Sequence, residues 1–316
     1  LEDLEGNRGI GSCATQNDSE ESVKECFDIL ESFSSSLVGK ELDLNENTFG
    51  WIASELPLNT EANAAIDIAI HDLWAKREGE TLVDALGKKH QSFDTSITIG
   101  VASLEKTIEM AKKHIGNGFS ILKIKIGDCV EEDIERMKAL FELKPEKIKI
   151  RVDANRGYSK EELIKFYDQT FDLGLELIEQ PMEVDRNNEM LYFPEEIRKI
   201  CVADESLQIF DDAIRLVQEP RPFGVFNIKL MKCGGVSAAK KIAALAHENG
   251  IKLMWGCFDE SKVSISAALH TALSCENTQY IDLDGFFDLG WDLIDGGYKC
   301  ENGIMSVLDK SGLGVY

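Results

Sequence analysis

The chain has 316 residues, enough to bury a large core, and that length allows either two domains or one barrel with an attachment. Its 34 basic and 57 acidic residues give a net charge of −23, which repels polyanions and argues against nucleic acid or an anionic membrane as partner. No apolar run approaches the roughly 20 residues that span a bilayer, and no basic leader with an apolar stretch opens the chain, so a cytoplasmic protein is expected.

Residues 1–10 read as the tail of a strand and a turn, so a further N-terminal piece ahead of Leu1 is expected. Helix signals run over 18–35: Ser19 or Ser22 can cap, and Val23, Cys26, Phe27, Leu30 and Phe33 share one stripe. A polar loop to Leu56-Pro57 comes next. The second helix is stronger, with a cap at Asn59-Thr60-Glu61, an apolar period from Ala62 to Trp74 and a stop at Gly79. It is apolar almost all round, which predicts burial between layers. Residues 82–87 form a short helical turn, and 88–93 make a linker into a repeating region.

In that region apolar runs end at Thr98, Lys125, Asp153, Glu179, Asp204, Lys229, Trp255 and Asp282, a spacing of about 26 residues from each to the next. One strand, one helix and two short loops need that length, and a closed barrel of such units puts all these residues at one rim. Helical stretches at 104–114, 131–141, 159–171, 211–218, 237–249 and 261–274 separate strands, and Ser159 with Glu162 forms a capping pattern. After Asp284-Gly285 the pattern stops. Residues 286–316 read as turns and short strands with six glycines, expected to return to the N-terminal segment over the rim. The expected organisation is therefore 1–92 as the first part of a capping domain, 93–285 as the barrel and 286–316 as the returning segment. The eight cysteines show no C-x-x-C pair and no zinc-like spacing with the five histidines, so reduced core thiols are expected.

Any one acid or lysine at a strand end could be merely solvated; six in phase argue for a common site. Asp153, Glu179 and Asp204 fall on three consecutive strands. Carboxylates that close repel when ionised unless a divalent cation lies between them, and oxygen ligands favour one Mg²⁺, with Mn²⁺ as a substitute. Lys125 and Lys229 sit four strands apart, on opposite sides of the mouth. That arrangement suits proton abstraction next to a carboxylate: the metal stabilises an enediolate, one lysine removes the proton and the other returns it, inverting the carbon. Each of these two lysines is expected to have a depressed pKa because of a nearby cation: Lys123, two residues before Lys125 and on the same face, supplies one such charge and the metal another, and Lys123 could also meet the substrate carboxylate. Asp282 and Asp284, across the mouth from Glu179, would receive a substrate ammonium group. From a different class, Lys229 could instead form a Schiff base in a metal-free aldolase.

The motif set resembles the enolase superfamily, muconate lactonising subgroup: Lys123-Ile124-Lys125, Val152-Asp153-Ala154-Asn155, Ile178-Glu179-Gln180-Pro181, Ala203-Asp204-Glu205-Ser206, and Asn227-Ile228-Lys229 followed by Cys233-Gly234-Gly235. Within it, Asp282-Leu283-Asp284-Gly285 resembles the dipeptide epimerases, including those of the L-Ala-D/L-Glu kind. The resemblance implies a (β/α)₇β TIM-like barrel with an α+β capping domain, Mg²⁺, and epimerisation of the C-terminal residue of a dipeptide by a homo-oligomeric enzyme. Lys125 would serve the S configuration and Lys229 the R. Thr98 and Cys257 would be further substrate contacts, with Glu205 and Asn155 behind the metal ligands. An o-succinylbenzoate synthase, N-acylamino acid racemase or muconate cycloisomerase would share the lysines, but their anionic substrates leave Asp282 and Asp284 without a cation. A mandelate-racemase-like member would carry a histidine where Trp255-Gly256-Cys257 stands. The segment from Cys13-Ala14-Thr15-Gln16 into Asn17-Asp18 departs from the family's longer specificity loop.

Overall fold

The computed structural model describes residues 1–16, 19–39 and 59–316. The expected helix start at Asp18 and the polar loop to Leu56-Pro57 lie outside them. After a two-residue strand β1 (Phe93–Asp94), eight parallel strands form one nearly closed sheet in sequence order: β2 (Ile97–Ile99), β3 (Ile121–Lys125), β4 (Lys149–Asp153), β5 (Leu177–Glu179), β6 (Cys201–Ala203), β7 (Val225–Ile228), β8 (Lys252–Gly256) and β9 (Thr278–Asp282). The ends meet where Thr95 bridges Ile281 and the Ser96 amide donates to the Ile281 carbonyl at 3.3 Å. Strands this short suffice because crossover helices between successive strands cover the outer face of the barrel. The capping box at Ser159 and Glu162 forms as expected and opens the helix Lys160–Thr170.

Alternation on the strands decides what fills the barrel. Leu177, Val202, Val225 and Met254, with Tyr280 against them, make one apolar layer inside it. One step nearer the rim, the next inward positions are Lys123, Asp153, Glu179, Asn227 and Asp282. The register sets Lys125 beside Asp153 and Asp153 beside Glu179. Chemistry at the mouth therefore rests on a floor that is apolar apart from the buried Arg151, whose guanidinium bonds the Ile281 carbonyl at 2.8 Å and Glu176 at 2.7 Å.

The helix Thr60–Glu78 is buried along most of its length and stops at Gly79, whose φ of 73° is the left-handed cap that glycine favours. Gly9 and Gly11 cross it so closely that a Cβ at either would lie 2.0 Å from the Ala69 carbonyl oxygen or 1.8 Å from that of Ala65. The helix Glu20–Leu37 differs from expectation: of its apolar stripe only Cys26 is fully buried, while Val23 and Phe27 are exposed; among the described residues the helix packs mainly on Thr60–Glu78. Among the described residues no helix is long and apolar enough to cross a membrane.

The C-terminal segment divides between two places. Its hairpin, β10 (Tyr298–Glu301) and β11 (Ile304–Val307), pairs with β1, just ahead of β2 and so at the end of the barrel opposite the rim. No α-helix follows β9, only the 3₁₀ turn Gly285–Phe287; Phe286 and Phe287 lie against Tyr298 and Phe119, with ring centroids 5.2 and 5.9 Å apart. Only the last residues reach the cap helix. There Asp72, fully buried, accepts the Leu313 amide at 2.7 Å, the Ile10 amide at 2.9 Å and the Lys76 ammonium at 2.7 Å. One carboxylate thus ties both ends of the chain to the same helix. Asp72→Ala, which strands two amides, should lower the unfolding free energy by about 2 to 5 kcal/mol in urea titration. A loss below about 1 kcal/mol would show that the ends are held by other contacts.

Candidate active site

Two residues apart on β3, Lys123 and Lys125 project into the mouth on one face. Lys123 is buried, and its ammonium meets Asp282 at 2.7 Å, Glu179 at 2.8 Å and Asp153 at 3.1 Å. Burial works against its charge, yet Asp282, Glu179 and Asp153 together hold it well above the usual lysine range. Lys125, more open, bonds Asp153 Oδ2 and Asn155 Oδ1, both at 2.7 Å. Asn155, Arg156 and Gln180, just past β4 and β5, adopt positive φ of 41°, 70° and 30°, backbone strain of the kind that gathers at functional rims.

The three acids of the arc have unlike environments. Asp153 is disfavoured as an anion by burial but is drawn down by Lys123 and Lys125. Asp204 is buried too, yet Lys229 on Oδ2 at 2.9 Å and Lys232 on Oδ1 at 2.5 Å hold it far below the carboxylate range. Glu179 lies between them, and burial together with the Asp153 charge pushes it up to about 7, although Asn227 donates to its Oε1 at 2.7 Å. The Lys229 ammonium also lies 4.7 Å from the centre of the Phe258 ring.

On the other side of the mouth, Asp282 accepts the Ser96 hydroxyl at 2.5 Å on Oδ1 and Lys123 on Oδ2. Asp284 accepts the amide of Thr98 at 2.7 Å, and burial with the Asp282 charge pushes it up to about 7. Cys257 lies at the same edge, its thiol 3.4 Å from the Gly285 amide and 3.5 Å from the Asp282 carbonyl; burial holds the thiol well above its usual range. Glu205 lies behind the arc, 3.4 Å from Arg156, with its pKa raised by burial and by the Asp204 charge. The rim thus gathers the candidate lysines and acids with Thr98, Asn155 and Cys257, whereas Trp255, also in phase, turns into the outer core and bonds Thr278 at 2.9 Å.

Sequence reasoning missed several. Asn227 and Ser96 stand two positions before Lys229 and Thr98, on the same strand faces, so the period-two rule could have found them. Gln180 accepts the amides of Asp204 and Ser206, both at 3.1 Å, and so fixes the turn after β6. Lys232 carried only its spacing from Lys229 as a signal.

Among the described residues no three acidic, histidine or cysteine side chains close on one point as a ready metal cage, because lysine ammonium groups lie between the carboxylates. The donor set nonetheless fits a hard cation. It is all oxygen, Glu179 is forced up by burial and by the Asp153 charge, and among the described residues the buried Glu205 Oε2 and Asn227 Oδ1 have no hydrogen-bond partner. One expectation needs correction. Lys229 is not depressed; burial opposes its charge, but Asp204 and Glu179 raise its pKa above the usual lysine value. A free amine for Schiff-base chemistry is therefore disfavoured at Lys229.

Residues 1–87 match the mandelate racemase / muconate lactonizing enzyme N-terminal domain, and residues 106–316 match the enolase C-terminal domain-like family. The chain belongs to the enolase superfamily. It is 51% identical over 254 residues, 80% of this chain and 72% of the relative, to an L-Lys-D/L-Arg epimerase of Desulforapulum autotrophicum. An L-Ala-D/L-Glu epimerase of Clostridium acetobutylicum is 34% identical over 316 residues, covering 98% of this chain and 87% of the relative. A crystal structure of a dipeptide epimerase from Methylococcus capsulatus, complexed with Mg and the dipeptide L-Arg-D-Lys, superposes with a TM-score of 0.95 at 39% identity, covering 99% of this chain and 89% of that one. With relatives that are epimerases, this member of the superfamily is an isomerase.

The raised acids give a signed pH dependence. Glu179 and Asp284 titrate near 7 when folded and in the ordinary carboxylate range when unfolded, so their contribution to stability is full below about pH 4 and lost as pH rises through about 7. Asp153, Asp204 and Asp282 are depressed and lose their contribution only at acid pH, outside this window. In EDTA the thermal midpoint should fall between about pH 5 and pH 8, and added Mg²⁺ should raise it more at the higher pH. A midpoint flat with pH and indifferent to Mg²⁺ would contradict this electrostatic account.

Proposed function

We propose that the protein is a Mg²⁺-dependent dipeptide epimerase that inverts the α-carbon of the C-terminal residue, with a preference for dipeptides bearing cationic side chains. The observation that carries the reading is the pairing of Lys125 and Lys229 on opposite sides of one mouth, with Asp153, Glu179 and Asp204 along the arc between them. Those three acids would hold the ion. When bound, it supplies positive charge at the substrate carboxylate, which makes the neighbouring C–H more acidic.

The protein's own groups do the rest. One lysine, as the amine, takes the α-proton from its side of the carbon; the other, as the ammonium, returns a proton from the opposite side. Lys123, held as an ammonium, suits a place beside the substrate carboxylate. Asp282 and Asp284, at the end of β9, suit the α-ammonium group of the first residue. Asn155 and Thr98 hold Lys125 and Asp284 in place.

Support for cationic side chains comes from the L-Lys-D/L-Arg epimerases among the relatives, from the net charge of −23, and from the exposed Asp259 just beyond β8 at the rim. The test is a dipeptide panel followed by chiral chromatography. L-Lys-L-Arg should be epimerised with a higher kcat/KM than L-Ala-L-Glu, and equal or reversed preference would contradict the substrate class. Lys125→Ala and Lys229→Ala should each reduce net epimerisation roughly 100 to 10,000-fold. A variant that still interconverts both epimers would rule out the two-base mechanism.

Because Asp282 also bonds Lys123, Asp284 is the cleaner probe of ammonium recognition. Asp284→Asn should raise KM more than it lowers kcat, with a loss of about 10 to 150-fold in kcat/KM. N-acetylated dipeptides should suffer a similar loss with the wild type. Equal turnover of acetylated and free dipeptides would shift the reading to an N-acylamino acid racemase.

A further inference from the structure

Lys232 lies three residues past Lys229, on the short helix Leu230–Cys233 that follows β7. It is buried at the mouth and faces no solvent, and no step of the proposed mechanism uses it. Its ammonium has three acceptors: Asp204 Oδ1 at 2.5 Å, the Asp204 carbonyl at 2.7 Å and the Asn227 carbonyl at 3.2 Å. An ammonium has three N–H donors, so this one is spent within the protein. The other oxygen of Asp204, Oδ2, accepts Lys229.

We infer that Lys232 is a positioning residue that locks Asp204, through both its carboxylate and its carbonyl, so that Oδ2 alone is presented to the mouth for a divalent cation. The two lysines on Asp204 differ in freedom. Lys229 has the tie to Asp204 Oδ2 and the Phe258 ring beside it, and it would yield that oxygen to a cation held there. Lys232 is gripped by two main-chain carbonyls and stays. It also joins the end of β6 to Asn227 on β7, two residues before Lys229, so one side chain sets the spacing between a ligand strand and a base strand. Partners behind a ligand that fix its orientation typically change metal affinity by about 10 to 100-fold when removed.

This rests on the reading of Asp204 as a metal ligand, and the experiment separates the two. Mn²⁺ binding is followed by electron paramagnetic resonance for wild type, Lys232→Met and Lys232→Gln, with thermal unfolding in EDTA recorded for each. The wild type should bind one Mn²⁺. Lys232→Met, which keeps the shape and loses every donor, should bind it about 10 to 100-fold more weakly. Lys232→Gln, which retains an amide donor for Asp204, should recover part of the loss. A wild type that binds no Mn²⁺ would overturn the ligand reading and this inference with it. A wild type that binds, with a folded Lys232→Met that binds equally or more tightly, would overturn this inference alone. So would equal losses in both variants, or failure of both to fold, since either would make Lys232 a general support of the barrel.

Discussion

The site depends on charge buried inside a closed barrel, where Lys123 meets carboxylates from β4, β5 and β9 within 3.1 Å. Removing an ammonium and three carboxylates from water is costly, and a low-dielectric interior tolerates them only as a mutually satisfied cluster. The cluster cannot sink, because the layer beneath is Leu177, Val202, Val225 and Met254. Nor can one member move without leaving another uncompensated. The positions of Asp153, Glu179 and Asp282 relative to one another are therefore set by packing and charge together, before any substrate arrives, which is the preorganisation that electrostatic catalysis requires.

The same cluster explains why the proposed ion and the proposed bases depend on each other. Burial and the Asp153 charge raise Glu179, whereas at Asp153 and Asp204 the adjacent lysines outweigh burial and depress the carboxyls. Lys229 is held protonated by Asp204 and Glu179. To act as the proposed base it would have to part from those carboxylates, and the positive charge of an ion held by them would favour that. Metal and base function are thus one electrostatic arrangement rather than two independent features of the rim.

Much of this was legible in the sequence because a (β/α) repeat is a counting device. Residues about 26 apart fall at the same height on successive strands, so Lys125, Asp153, Glu179, Asp204 and Lys229 announce a rim before any contact is known. The apolar helix Thr60–Glu78 was equally plain from its period, its cap and Gly79. What counting misses is what geometry adds off the strands. Lys232 reaches Asp204 from a helical turn, and Ser96 reaches Asp282 across the barrel seam. The hairpin β10–β11 pairs with β1 rather than over the rim, because the position after β9 has no α-helix and the chain runs past it to the far end. The stripe on Glu20–Leu37 carried the right period, but periodicity does not say how much of a face a neighbour covers.

Two lysines acting on opposite sides of one carbon leave a signature in the fate of a single hydrogen. L-Lys-L-Arg is incubated with the Mg²⁺-loaded enzyme in D₂O and sampled early, and the deuterium content of each epimer is read by mass spectrometry after chiral separation. With two bases, the product epimer carries one deuterium at the α-carbon from the first turnover, because the proton removed by one lysine is not the one delivered by the other. Product that instead retains the substrate's own hydrogen would mean one group both removes and returns it, and the opposed lysines would not be the acid and base of this enzyme.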